Sequence, residues 1–74
     1  MIITDGVHLV STSSEEELHH FASQLRLRRS WYQDKNSKHP HYDLTTTRSK
    51  NRAIALGAKL VTTRQLLSSS WWSS

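Results

Sequence analysis

Short apolar runs alternate along this chain with segments that carry helix-start signals, and this alternation constrains the fold more than any other feature. Strand candidates occupy residues 1–4, 30–33 and 58–62, and residues 7–11 either extend the first strand after a bend or form a separate short strand. A segment with helix-start signals follows each strand candidate. Alternating short strands and helices are typical of an α/β domain whose parallel strands are joined by right-handed crossovers. We therefore predict a β-α-β-α-β-α order, with a small three-stranded, mostly parallel sheet and two to three helices.

The helix boundaries have local signals. Ser14 with Glu17, or Ser13 with Glu16, can form a capping box at the start of the first helix. Its apolar stripe recurs at helical spacing and consists of Leu18, Phe21, Ala22 and Leu25. In the second helix, Thr45 or Thr46 is the expected cap and Gly57 the expected end. Thr62 or Thr63 caps a short third helix. We expect His19 and His20, on the first helix, to lie on the surface.

The length of the chain limits its core. A chain of 74 residues hides only ~60% of its unfolded surface, and hydrophobic residues make up 35% of this one. We predict a single domain over residues 1–67, followed by a Ser- and Trp-rich tail over residues 68–74. Formation of a homodimer, or binding of a partner, is one way to supply the burial that the chain lacks.

Charge is distributed unevenly. The whole chain carries a formal charge of +4, and all ten Lys and Arg lie after residue 25. Asp5 and the glutamates of residues 15–17 make the first part acidic. This asymmetry favours an anionic partner such as a nucleic acid or nucleotide. No apolar run approaches the ~18–20 residues of a membrane span, and the lack of cysteine fits the bacterial cytoplasm.

A candidate site follows from the predicted topology. In open α/β sheets the ligand crevice lies beyond the carboxyl ends of the strands. His41 and Asp43 are the predicted catalytic residues there, since an imidazole oriented by a carboxylate suits acid–base chemistry near neutral pH. The residues predicted to bind the ligand or its phosphate are polar or basic: Asp5, His8, Gln33, Tyr42, Arg48, Arg52 and Arg64.

A metal site is an alternative interpretation of the same stretch. His39 and His41 could face one side of an extended segment around Pro40, with Asp43 next to them. His8 or Asp5 would complete three ligands with an open position, as in catalytic zinc sites. Binuclear metallohydrolases with a His-x-His-x-Asp pattern need further ligands from distant loops, and this short chain offers few. The prediction therefore includes no metal and no cofactor.

Several stretches resemble a small bacterial and phage family, known only as domain of unknown function 4031. The resemblance rests on Glu16-Glu17-Leu18-His19, Trp31-Tyr32-Gln33, Pro40-His41-Tyr42-Asp43-Leu44-Thr45, Ala53-Ile54 and Gly57-Ala58, and on Val61 and Arg64. It covers most of residues 1–67, and the Pro-His-Tyr-Asp element is its most specific part. Family members usually carry a longer segment before the His-Leu pair, so this chain is shortened near His8. The resemblance implies a compact αβ domain of bacterial or prophage origin and no established activity.

Three functions remain open from the sequence. The first is a small cytoplasmic phage or prophage protein that binds a phosphate-bearing ligand, above all nucleic acid, at the rim described above. The second is a minimal hydrolase or transferase that acts on that ligand with His41 and Asp43. The third is an inhibitor that binds a host protein and in which the rim is only structural.

Overall fold

The computed structural model describes residues 1–33 and 40–73. It contains a sheet, three α-helices, and short 3-10 turns at Arg29–Trp31 and Trp71–Ser73. The strands are β1 Ile2–Thr4, β2 His8–Ser11, β3 Tyr32–Gln33, β4 His41–Asp43 and β5 Lys59–Leu60. The helices are α1 Glu15–Gln24, α2 Thr47–Leu56 and α3 Thr63–Ser69. The polar, turn-rich composition of residues 34–38 predicts a surface loop. This loop and the proposed metal ligand His39 lie outside the described residues.

The α/β class is confirmed, but the predicted sheet is wrong. Within the described residues, the sheet has five strands in the order β3-β4-β2-β1-β5. Only β1 and β5 pair in parallel, and the other three pairs are antiparallel. The sequence prediction left residues 7–11, which contain β2, open as an extension of the first strand or a separate short strand, and it lacked β4. Both segments are strands because they pair with neighbouring strands, and the sequence alone does not show this pairing.

A tight turn after β1 turns the chain back and makes β2 antiparallel. Gly6 has φ of 97°, in the region that glycine adopts without steric cost. The Asp5 carboxylate accepts hydrogen bonds from the backbone N–H groups of Val7 and His8, at 2.9 and 2.7 Å. Asp residues stabilise turns in this way. The Asp5-Gly6 pair therefore forms a turn, as its residue types predict, and this turn makes β1 and β2 an antiparallel hairpin.

The helices begin where the capping residues predict. Ser14, Thr46 and Thr62 are the N-caps of α1, α2 and α3, and each side chain accepts a hydrogen bond from a backbone N–H of the first turn. Gly57, with φ of 123°, ends α2. At each of the three N-caps, the hydroxyl satisfies a backbone N–H that would otherwise lack a partner within the helix.

In the part of the chain that the structure describes, the core consists of two clusters, one on each face of the sheet. The larger cluster packs α1 and α2 against one face and includes Leu9, Leu18 and Tyr42. The smaller cluster packs α3 against the other face through Ile3, Val10 and Leu66. Since successive residues of a strand point to opposite faces, Leu9 and Val10 reach different clusters. The molecule thus has three layers, with the sheet in the middle.

The two tryptophans of the predicted tail pack against the domain. Trp71 lies against both core clusters, and Trp72 against the smaller one. The Trp72 indole Nε1 donates a hydrogen bond to the carbonyl oxygen of Pro40, 3.0 Å away. The C-terminal 3-10 turn therefore contacts the segment that leads into β4. Within residues 1–33 and 40–73, no helix has the length and apolar character needed to cross a bilayer.

We expect the larger cluster to account for much of the stability. Leu18 is fully buried on α1, whereas Leu56 on α2 is close to half exposed. Leu18→Ala should lower the free energy of unfolding by about 2–5 kcal/mol, because it leaves a cavity in the core. The matched control Leu56→Ala should change it by less than about 0.5 kcal/mol. Urea unfolding followed by circular dichroism gives both values, and equal losses would contradict this packing.

Candidate functional site

The direction of the strands brings several predicted site residues to one edge of the sheet. β1, β4 and β5 run the same way, and β2 and β3 run against them. The carboxyl ends of β1, β4 and β5 therefore lie at one edge, where β2 begins. Asp5 follows β1, His8 opens β2, Asp43 ends β4, and Thr63 comes shortly after β5. We call this edge the rim.

The Asp5 carboxylate at the rim is buried and accepts several hydrogen bonds. Its side chain is only 3% exposed. Besides the two backbone N–H groups of the turn, the Thr63 hydroxyl donates to its Oδ2 at 2.7 Å, and His8 Nδ1 lies 2.9 Å from the same oxygen. These four contacts use the hydrogen-bonding capacity of a carboxylate almost fully.

The hydrogen bonds keep Asp5 ionised. Burial alone would raise the pKa of Asp5, but the hydrogen bonds from His8, Thr63 and Val7 outweigh burial and hold that pKa well below its usual range. An ionised carboxylate accepts only, so the Nδ1 of a neutral His8 carries the proton and its Nε2 is left as an acceptor. Asp5 therefore fixes the tautomer and the orientation of the His8 ring.

His8, His41 and Asp43 form a cluster on the sheet face that carries α3. His8 and Asp43 are direct partners across β2 and β4, so their side chains share a face. His41 precedes Asp43 by two residues and lies on that same face. Its Nε2 is 3.0 Å from Asp43 Oδ1, and its ring centroid is 4.9 Å from that of His8. The side chains of His8, His41 and Asp43 are 37, 17 and 41% exposed.

A pocket of about 230 Å³ opens beside the two histidines. Apart from His8, His41 and Thr63, its walls are apolar or aromatic: Val10, Leu66, Leu67 and Trp72. The histidines thus lie at the polar end of an apolar pocket between β2, β4 and α3. This arrangement suits a ligand with a polar group to hold and an apolar part to bury.

Basic side chains come to the rim from the helices that begin there. Arg48 is exposed in the first turn of α2, and Arg64 is exposed in the first turn of α3. Neither first turn contains an acidic residue. The Lys50 side chain lies over the hairpin turn, since a Cβ added to Gly6 would be 3.4 Å from Lys50 Cε.

The structure does not bring every predicted residue to this cluster. Tyr42 is buried on the opposite face, where its hydroxyl lies 2.8 Å from His19 Nδ1. Burial also raises the pKa of Tyr42. Arg52 lines a groove between α1 and α2, beside Gln24 and Leu25. Because it contacts this tyrosine, His19 is not the surface residue that the sequence predicts.

Gln33 belongs to a separate groove that adjoins the rim. This groove has a volume of about 350 Å³ and is lined by Ser30, Trp31, Gln33, Asp43 and Thr45. Trp31 is 43% exposed, and the Arg28 guanidinium lies 5.9 Å from its ring centroid. Asp43 therefore lies between the groove and the histidine cluster.

The sequence-based prediction did not name three contributors as site residues. Thr63 was expected at a strand end and as a helix cap, Lys50 only as part of α2, and Trp72 only as part of a tail. The Asp-Gly turn and the Thr-Thr pair were visible as local signals. The hydrogen bond between Thr63 and Asp5 was not visible, because it depends on the hairpin and on the parallel pairing of β1 with β5.

The fold and the site define a small α/β protein with a mixed five-stranded sheet and a histidine–carboxylate cluster at the edge where β1, β4 and β5 end. The chain belongs to the family described as Protein of unknown function (DUF4031), whose model matches residues 5–71. The match includes Asp5, His8, His41 and Asp43, and it extends past Leu67 to Trp71. Comparison with curated proteins and with solved structures found no match.

Asp5→Asn tests the contribution of the carboxylate. At neutral pH this change should lower the free energy of unfolding by about 1–3 kcal/mol, since it leaves buried donors poorly satisfied. The folded-state pKa of Asp5 is depressed, so its stabilisation is present above the unfolded-state pKa of ~3.9 and is lost as the pH falls below that value. The difference between wild type and Asp5→Asn should therefore shrink as the pH drops below about 4.

Urea unfolding of both proteins across this pH range measures the difference. Hydrogen bonds from the Met1 ammonium and Ser11 also lower the pKa of Glu17. Glu17 is present in both proteins, so its contribution to the pH dependence cancels in the difference. A difference that stays constant down to the lowest pH would contradict an ionised Asp5.

Proposed function

We propose that the protein binds a phosphate-bearing ligand, and specifically a nucleic acid in the cytoplasm of a bacterial host, at the rim. The observation that carries this proposal is the separation of charge between the two edges of the sheet. The ligand would meet basic side chains, two imidazoles and the partly exposed Asp43 at the rim, while the main acidic segment lies at the far edge.

The topology produces this separation. β2 runs away from the rim, so α1 begins at the opposite edge with Glu15, Glu16 and Glu17 in its first turn. Glu17 is paired there with the Met1 ammonium, 2.5 Å away. At the rim, Asp5 is enclosed by donors and presents little charge to a ligand. Arg48 and the other cations of the rim can therefore face an anion.

Aromatic surface beside the rim favours a nucleic acid over a simple phosphate. Trp31 is exposed in the groove that reaches Asp43, and Arg28 lies close to its ring. Single-stranded nucleic acids bind through phosphate contacts with cations and through stacking of bases on aromatic rings. A strand whose bases stack on Trp31 would have its phosphates within reach of the start of α2.

Arg48→Ala and Arg52→Ala form a matched pair on α2. Arg48→Ala should weaken the binding of short single-stranded DNA and RNA and reduce the dependence of log K on log salt by about one unit, because one phosphate contact is lost. Arg52→Ala removes the same charge one turn further along, in the groove beside α1, and should leave binding nearly unchanged. Amide NMR titrations at low and physiological salt measure both effects.

The pattern of NMR shifts decides the proposal. Shifts that cluster on residues 5–8, 28–33, 41–50 and 64 would support it. If neither single- nor double-stranded DNA or RNA causes shifts at low salt, the nucleic-acid proposal fails. Equal losses of binding in Arg48→Ala and Arg52→Ala would contradict the assignment of the rim as the phosphate site.

A second candidate function, a minimal hydrolase or transferase acting on the same ligand, is favoured by one observation. His41 Nε2 lies 3.0 Å from Asp43 Oδ1, which is a hydrogen-bonding distance between an imidazole and a carboxylate that orients it. General acid–base catalysis by such a group contributes roughly 10²–10⁴-fold to a rate. His41→Ala should therefore lower the cleavage of a labelled oligonucleotide by about that factor while binding remains.

His20→Ala is the control for this assay, because His20 is exposed on α1 and lines neither the pocket nor the histidine cluster. Cleavage that persists in His41→Ala would contradict the catalytic assignment. Loss of cleavage in His20→Ala would contradict it equally, since that change should leave the rim intact.

A further inference from the structure

We propose that His8, His41 and Asp43 bind a divalent transition metal ion of the zinc type, with Asp5 holding His8 in position. The inference goes beyond the proposed ligand, because it concerns an ion that the protein would bind with or without a nucleic acid. It also departs from the metal-free prediction made from the sequence.

The geometry of the donors supports this proposal. One donor atom from each of His8, His41 and Asp43 lies within 4.8 Å of the others. His41 Nε2 and Asp43 Oδ1, at 3.0 Å, are already close to the separation of two ligands of one ion, roughly 3.3–3.6 Å for tetrahedral metal–ligand bonds of about 2.0–2.2 Å. His8 and Asp43 are partly exposed, so small side-chain rotations can close the remaining distance.

The contact behind His8 is of the kind that metal sites use. A histidine ligand usually donates its other ring N–H to a carboxylate, which fixes the tautomer and orients the ring. Asp5 accepts from His8 Nδ1 at 2.9 Å and is only 3% exposed. His8 Nε2 is therefore the atom available to an ion. The Thr63 hydroxyl and the backbone N–H groups of Val7 and His8 hold this carboxylate in place.

The set of donors selects the class of ion. Two imidazoles and one carboxylate suit zinc and its neighbours, whereas magnesium and calcium prefer all-oxygen sites. Three protein ligands leave at least one position for water or for a ligand oxygen. The histidines line the pocket of about 230 Å³, so that open position would adjoin the pocket. A bound ion would also offset the negative charge of Asp43 at the edge of the Trp31 groove.

The test is a titration of the full chain, without a histidine tag, with Zn²⁺, followed by calorimetry and by imidazole NMR signals. We expect one ion per chain at micromolar concentration and shifts of the His8 and His41 rings. Bound Co²⁺ should produce visible absorption bands typical of a low coordination number. Mg²⁺ at the same concentration should not shift the NMR signals of either imidazole ring. Failure to saturate at micromolar Zn²⁺, or equal binding of Mg²⁺, would overturn the proposal.

Variants locate the ion. His8→Gln, His41→Gln and Asp43→Asn should each weaken Zn²⁺ binding by at least about 100-fold, and Asp5→Asn by about 10–100-fold as an outer partner. His20→Gln, an exposed histidine on α1, should have no effect. Amide spectra verify that each variant is folded, and a variant that unfolds is replaced by His8→Asn or His41→Asn. Loss of binding in His41→Gln but not in His8→Gln would overturn the three-residue site.

The nucleic-acid titration, repeated with Zn²⁺ and with EDTA, separates this inference from the proposed function. Zinc binding that depends on His8 and His41, without any response to nucleic acid, supports the metal site and rejects the proposed function. Nucleic-acid binding that persists in EDTA, together with no zinc binding, rejects the metal site alone.

Discussion

The Asp5 carboxylate joins three parts of the molecule, and the rim depends on it. It closes the turn between β1 and β2 through the N–H groups of Val7 and His8. It orients the His8 ring, and it holds the first residue of α3 through Thr63. A charged group buried in this way is stable only when donors surround it. The same contacts that make the hairpin therefore also fix the position of the histidine cluster.

The antiparallel direction of β2 explains where the acidic segment and the candidate site residues lie. It sends α1, with its three glutamates, to one edge of the sheet and leaves the other edge to the starts of α2 and α3. It also places His8 directly across from Asp43. With a parallel second strand, neither relation would exist. A single turn residue pair, Asp5-Gly6, thus decides both the charge pattern of the molecule and the composition of its candidate site.

Local signals in the sequence predicted more of the fold than of the site. Ser14, Thr46 and Gly57 set helix boundaries through interactions within a few residues, so their pattern was sufficient. β4 was missed because Tyr42 is its only buried residue, and its strand character comes from β2 and β3 on either side. Asp5, His8 and Asp43 were predicted as site residues from their expected positions at strand ends, and the structure brings them together. Tyr42 was predicted from the same stretch as Asp43, and Arg52 from its i, i+4 spacing with Arg48 on α2. Both lie in other surroundings, which spacing along the chain does not reveal.

The parallel pairing of β1 with β5 has a consequence for how the chain folds. Thr4 and Leu9 pair across the hairpin, whereas Ile3 must meet Lys59, with more than fifty residues between them. Closing that long loop costs about 2 kcal/mol more in chain entropy than closing the hairpin. The hairpin and α1 can therefore form early from local contacts, and β5 with α3 joins late. Thr63, which completes the enclosure of Asp5, arrives with this last segment, so the rim is assembled only when the whole domain is folded.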